Sequence, residues 1–427
     1  MNLLLIDFNP FGAAATPISL GHIGAHLAGL GHRVRVVSLG SDSSFSIQRF
    51  RSWIAELAPD LVGFGAYQRN ITHIHALALL VKEVRPGARV VFGGPQATFL
   101  PPSALSALPA VDHVCHGEGE RVLEAIVAAM EEERLDEPIP GCTTRDPEGG
   151  WWTGPPVEPA QDLDVYPSPW LTGVLDPSTM DEAIMLGSRG CPFSCAFCYT
   201  PRAFGRRIRA HSVERVLEEV ALVARKGSGR LWFADPNFSY SRSRVLRLLE
   251  GIARLDVAVS LWLETRADML DRELIQLMKR AGVHTVAMGL ESASPVVYER
   301  LNKRLEPGVV REAVKAALGA GLEVELFSQF ALPHERKEDA LGTLAFVKAC
   351  GVPIRGNSNA QQMQVYFGSA IADDPGAFGV RPLRRMCAPF HAMGAEFETD
   401  WMTREEIREV REAWLAESLD GGKRVVS

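Results

Sequence analysis

Three cysteines packed into one short stretch, Gly190-Cys191-Pro-Phe-Ser-Cys195-Ala-Phe197-Cys198-Tyr199, constrain this chain more than any other feature. A C-x3-C-x2-C spacing with an aromatic residue before the last thiol suits iron better than zinc. A structural zinc site wants a fourth ligand close by, and the nearest imidazole, His211, lies well beyond Cys198. Three thiolates leave one iron of a four-iron cube without a protein ligand. An open position on a reducing cluster lets a small molecule bind the iron and receive an electron. A closed Cys3His zinc site is the alternative reading of the same residues.

The rest of the chain sets the frame for that loop. Its 427 residues are long for one core and comfortable for two domains. A formal charge of -7 argues against a nucleic-acid backbone as the main partner, because such binders carry clustered positive charge. No stretch approaches the ~18 uninterrupted apolar residues of a membrane helix, and Asp7 interrupts the opening apolar run too early for a signal peptide. The expected location is the cytoplasm. The scattered Cys115, Cys142, Cys350 and Cys387 do not form a disulfide framework and read as small buried hydrophobes.

Residues 1–137 alternate short apolar runs with longer amphipathic ones, the rhythm of βαβ units. Strands are expected at Leu3–Asp7, Val34–Ser38, Leu61–Ala66, Val90–Gly93 and Val111–Cys115, with helices in the gaps. That pattern predicts a doubly wound parallel sheet of Rossmann-like type, whose ligand crevice lies beyond the carboxyl ends of the strands. The residues there include Gly12, Tyr67, Gln68, Gly93, Gly94, Gly117 and Glu118. Residues 138–182 lose periodicity and collect prolines, which predicts an ordered connector with short extended pieces, tied down by Trp151, Trp152, Tyr166 and Trp170. In residues 183–369 the alternation resumes with six strand candidates, a partial (β/α)6 barrel with functional residues at its carboxyl strand ends. Residues 370–427, with Cys387, His391 and a charged helix near Arg404–Glu417, form a C-terminal helical extension that matches no motif.

The cysteine loop resembles that of the radical S-adenosylmethionine (SAM) superfamily. Gly93-Gly94-Pro95 followed by Gly117-Glu118-Gly119-Glu120 upstream of it resembles the cobalamin-binding domain carried by one of its subfamilies, which includes the class B methyltransferases. The resemblance runs from Met1 to about Ser369. It implies that Cys191, Cys195 and Cys198 hold a 4Fe-4S cluster whose fourth iron is chelated by SAM, with Phe197 and Tyr199 bordering the adenine. It also implies SAM contacts at the barrel strand ends. Glu291 and Ser292 match the family's G-x-E-S element, where the carboxylate accepts from ribose hydroxyls. Arg266, in Glu264-Thr-Arg266, is expected to fork onto the SAM carboxylate, and Asp235 closes the strand before it.

Two departures stand out. The D-x-H-x-x-G element that supplies a lower axial histidine to cobalt elsewhere is absent, which implies a lower face left open or covered by a non-ligand, with Tyr67, Gln68 or Arg69 as candidates. The Phe330-Ala331-Leu-Pro-His334-Glu335 segment resembles a G-L-P-G-E turn but lacks both glycines.

The implied activity is cobalamin-dependent radical chemistry. A 5'-deoxyadenosyl radical takes hydrogen from the substrate, and methylcobalamin then methylates an unactivated carbon of a small molecule or peptide. An electron donor such as flavodoxin or ferredoxin would feed the cluster. Cyclisation, ring contraction or rearrangement without methyl transfer is the rival, and no sequence feature separates the two. Methylthio transfer would need further cluster cysteines in the N-terminal third, and none precedes Cys115. A cobalamin-binding sensor would leave the cysteine loop unexplained.

Overall fold

A computed structural model describes residues 1–12, 14–41, 45–146, 148–355, 361–384 and 396–419. Cys387 and His391 lie outside this set. The chain divides into two compact units, one ending at Met180 and the other beginning at Asp181.

The first unit is built on the apolar run Leu3–Ile6, every residue of which is at most 2% exposed. Such a run is what a strand covered on both faces requires. The strands are β1 (Asn2–Asn9), β2 (Arg33–Gly40), β3 (Leu61–Gly65), β4 (Arg89–Gly93), β5 (His113–Cys115), β6 (Cys142–Arg145) and β7 (Trp151–Thr153). They form one sheet in the order β2-β1-β3-β4-β5-β6-β7. The first five are parallel, as expected, with helices Ile18–Gly29, Ile47–Leu57, Ile71–Val84 and Gly119–Glu131 between them. The strand order reverses beside β1, so the crevice opens where β1 and β3 end. β6 and β7 come from the proline-rich stretch and extend the sheet antiparallel, pairing Cys142 with Cys115 and Trp152 with Thr144.

In the second unit the strands are β8 (Ala183–Met185), β9 (Ser188–Arg189), β10 (Arg209–Ala210), β11 (Arg230–Phe233), β12 (Ser260–Thr265), β13 (Val283–Glu291), β14 (Glu323–Phe330), β15 (Gln361–Gln362), β16 (Val380–Arg384) and β17 (Glu396–Thr399). Six of them curl into an open parallel barrel sheet, ordered β15-β14-β13-β12-β11-β8. Alternation sorts their side chains. Leu261 and Leu263 are fully buried against the helical layer, while Trp262 lies on the opposite face, 5.3 Å from Trp232 and 6.2 Å from Phe327 between ring centroids. The short antiparallel pair β9–β10 closes the base of the cysteine loop. The tail differs from expectation: besides the helix Arg404–Ala416, whose start is fixed by the Thr403/Glu406 capping box, it contains the antiparallel hairpin β16–β17.

Candidate functional site

The cysteine loop is held by backbone at its start and in the middle. The amide of Cys191 donates to Gly205 O (3.1 Å), that of Ala196 to Leu301 O (2.9 Å), and that of Ile371 to Ala196 O (3.2 Å). Gly190 has φ +93°, and a Cβ there would sit 2.4 Å from Arg207 O, so only glycine lets the chain turn into the loop. Asn302 reaches across from the segment after β13 and donates to Ser194 O (3.1 Å) and Oγ (2.9 Å).

The thiols share one electrostatic neighbourhood. Burial raises all three, Cys195 to about 11, and Cys198 interacts with both Cys191 and Cys195. Lys303 and Arg266 pull Cys195 back down. Among the described residues no three His, Cys, Asp or Glu side chains gather tightly enough for a single metal ion. His211 is buried, its amide bonded to Gly187 O.

Beside the thiols, the end of β13 is irregular. Its register against β14 shifts between Gly289 and Glu291, and Glu291 takes φ +59°. The bulge re-aims the carboxylate, which accepts from Lys303 Nζ (2.6 Å) and Gln329 Nε2 (3.1 Å). Glu291 and Lys303 are each 5% exposed. A Cβ on Gly289 would lie 2.6 Å from Glu291 Oε1 and 2.7 Å from Lys303 Nζ, so that glycine makes room for the pair. Neither Lys303 nor Gln329 belongs to a recognisable motif.

Three of the residues expected to contact SAM also carry scaffold hydrogen bonds. The Arg266 fork is bidentate on Asp268 (3.0 and 2.9 Å) and also donates to the carbonyls of Lys303 (3.0 Å) and Arg304 (3.1 Å). Its guanidinium lies 3.8 Å from the Phe193 ring centroid. With four of its five N–H donors engaged, Arg266 braces the cysteine loop against the 303–304 segment. Ser292 is fully buried, donating to Glu335 Oε1 (3.0 Å). Asp235 accepts from Gly187 N (2.7 Å) and Ser188 Oγ (2.6 Å), tying β11 to the start of the loop.

Glu264 differs from these. It stands on the inner strand face, and burial, with Asp235, Glu325 and Glu291 nearby, pushes it up to about 7. Phe197 and Tyr199 are half-buried on the loop, and Tyr199 meets Tyr366 edge-on at 5.7 Å.

The crevice of the first unit is made mainly of backbone. Asn70, 1% exposed, donates to Phe8 O (3.1 Å) and Gly65 O (3.0 Å) and accepts from Tyr67 N (2.8 Å), locking the ends of β1 and β3 together. Thr98 donates to Gly94 O (2.9 Å) and accepts from Gly117 N (3.1 Å), doing the same for β4 and β5. Gly94 has φ +102° and its Cβ position lies 3.0 Å from Ala66 O. Arg69 sits over the Tyr67 ring at 5.9 Å, and Gln68 Oε1 is buried without a partner among the described residues. Gly12 and Glu118 are half-buried at the same strand ends, Glu118 preceding the helix Gly119–Glu131.

Comparison with known proteins covers both units. Residues 6–127 match the B12 binding domain and residues 185–347 the radical SAM superfamily. An uncharacterised methyltransferase of Pyrococcus horikoshii is 30% identical over 347 residues, 79% of this chain and 74% of that protein. The anaerobic magnesium-protoporphyrin IX monomethyl ester cyclase of Rubrivivax gelatinosus is 27% identical over 335 residues, which is 75% of this chain but 60% of the cyclase. The solved structure of the methyltransferase TsrM from Kitasatospora setae, with cobalamin and a [4Fe-4S] cluster bound, superposes with a TM-score of 0.76 over 97% of this chain and 88% of that one; at 18% identity the likeness shows the fold. The chain therefore belongs to the radical SAM superfamily, in the branch whose members carry an N-terminal B12-binding domain.

Proposed function

We propose that this chain is a cobalamin-dependent radical SAM enzyme that methylates an unactivated carbon of a small molecule or peptide, with Cys191, Cys195 and Cys198 as its cluster ligands. The observation that carries the reading is the loop itself: three thiols, Cys198 interacting with both others, beside a buried Lys303–Glu291 pair, with backbone bonds holding the loop at Cys191 and Ala196. The thiols fit an iron cluster because a coordinating metal deprotonates a thiol outright, overcoming the burial that raises it. The N-terminal crevice fits a large cofactor because its glycines keep side chains away from the strand ends and Gln68 Oε1 is buried without a donor among the described residues. When bound, these groups supply a carbon-centred radical initiator and a methyl donor.

The chain's own residues then have distinct tasks. Glu291, held by Lys303 and Gln329, presents a fixed acceptor for SAM hydroxyls at the end of β13. Phe197 and Tyr199 offer aromatic surface to the adenine, and Glu264 reaches a polar group of SAM or substrate. Arg266 and Asn302 keep the loop in place. In the first unit, Gly12, Gly93, Gly94, Gly117, Glu118, Tyr67 and Gln68 would hold cobalamin. A small one-electron carrier such as flavodoxin or ferredoxin supplies the electron. Among the described residues no helix is long and apolar enough to cross a membrane, and we assign the enzyme to the cytoplasm, where unpaired thiols stay reduced.

The cyclase relative supports a second reading, radical cyclisation without methyl transfer. Anaerobic reconstitution with iron and sulfide, followed by spectra with and without hydroxocobalamin, tests the cofactor assignment. Iron uptake equal to that of Cys195→Ala would sink it. SAM carrying a deuterated methyl then separates the reactions: product mass gain means methylation, and unlabelled, rearranged product means the second reading.

A further inference from the structure

The turn after β14 keeps a glycine's backbone without having glycine. Ala331 and His334 stand where the related G-L-P-G-E turn has its two glycines, and both take φ +62°. An L-residue enters that region at a cost, and histidine is among those that tolerate it better. His334 places its ring face to face with Trp401, with centroids 3.9 Å apart and planes 28° from parallel.

Trp401 is itself fixed by the tail. Its amide donates to Thr399 Oγ1 (3.3 Å), and a Cβ on Gly379 would lie 2.5 Å from its ring. The indole therefore packs against the Gly379 backbone of the hairpin as well as stacking on the imidazole of the barrel turn.

We infer that His334 is a positioning residue: it takes the left-handed conformation in order to latch the β16–β17 hairpin, through Trp401, to the turn after β14. The latch makes the tail and that turn one cooperative element. On the reading proposed above, in which SAM lies at these strand ends, tail and ligand site become coupled. The rest of the turn is independently anchored, since Glu335 accepts from Leu332 N (3.2 Å) and Ser292 Oγ (3.0 Å). Loss of the latch should loosen the hairpin without unfolding the turn. Lys337, just past the turn, pairs with Glu409 on the tail helix, a second and exposed tether.

His334→Gly separates a latch from mere backbone filling. Glycine suits φ +62° better than histidine does, so a residue with no other role should be replaced at no loss. Amide hydrogen exchange of the iron-free full chain is the first readout. In His334→Gly and His334→Asn, amides of residues 396–402 are expected to exchange about tenfold faster than wild type, while Trp401→Phe, which keeps a ring for the stack, stays near it. Wild-type or slower exchange in His334→Gly overturns the latch.

Equilibrium dialysis of reconstituted enzyme with SAM is the second readout, with about a tenfold rise in Kd expected for His334→Gly. An unchanged Kd beside a released hairpin overturns the coupling. Absence of SAM binding in the wild type would sink the functional proposal, while the exchange result would still decide the latch.

Discussion

The two strand-end clefts are built from different material. The crevice of the N-terminal sheet is shaped by backbone, with Gly94 pressed toward Ala66 and the strand ends clipped together by Asn70 and Thr98. The barrel end is shaped by charged side chains that satisfy one another: Lys303 with Glu291, Arg266 with Asp268. A backbone cleft fails when something is added to it, because a new Cβ has nowhere to go. A charge-paired site fails when something is removed, because the surviving partner stays buried and unpaired.

The largest effects should follow from removals at the barrel end. Cys195→Ala takes one of three thiols and is expected to leave reconstituted iron near background, while hydroxocobalamin retention stays at wild-type level. Loss of both together would break the division between the clefts. Lys303→Met leaves Glu291 as a buried charge without its cation, at a cost of about 3–5 kcal/mol. Chemical denaturation of the iron-free chain measures it, and Lys303→Arg should recover part of the loss. A Lys303→Met protein as stable as wild type would mean that Gln329 alone satisfies the carboxylate.

Next comes a pH effect that belongs to the barrel. Burial pushes Glu335 up to about 8, against the lowering influence of the Leu332 amide and the Ser292 hydroxyl. Its folded pKa lies above the unfolded value of about 4.3, so the folded state keeps a proton that the unfolded chain releases. The contribution is whole below the unfolded pKa, is lost as pH rises toward 8, and is flat beyond. Glu264, raised to about 7, adds to the slope in the same direction. Glu335→Gln should make the fall in unfolding midpoint between about pH 5 and pH 8 shallower. An unchanged slope would reassign it to Glu264 and other groups.

What was legible in the sequence follows the same division. Spacing and periodicity are local, so the cysteine loop, the five parallel strands and the glycine-lined ends of β3, β4 and β5 could be read directly. Glu291 was legible as a motif residue, but the Lys303 amine that holds it was not, because an ion pair across a bulge leaves no periodic trace. The partners of Arg266 were not legible for the same reason: Asp268 and the two carbonyls of the 303–304 segment meet it through tertiary contacts. The missing glycines at 331 and 334 signalled a changed turn, whereas the backbone kept its conformation and the difference went into a stack on Trp401. Strands as short as β7 carry too few residues to show alternation, so the sheet's antiparallel extension was visible only as extended pieces.

The smallest effects should come from additions to the N-terminal crevice, and two glycines there rank them. Gly94 lies at φ +102° and ψ -178°, a region open essentially only to glycine, and its Cβ position falls 3.0 Å from Ala66 O and 3.4 Å from Ala66 N. Gly117 also has positive φ, +75°, but nothing stands within 4 Å of its Cβ position. Alanine at 117 therefore carries only the left-handed penalty, about 1 kcal/mol, while alanine at 94 adds a clash with backbone that cannot swing aside, for about 1–3 kcal/mol in all. Gly94→Ala should lower both the unfolding midpoint and cobalamin retention more than Gly117→Ala, with reconstituted iron unchanged in each. If Gly117→Ala instead loses cobalamin while keeping its stability, the open space beside that glycine is ligand space, and the crevice is shaped by its occupant as much as by its own backbone.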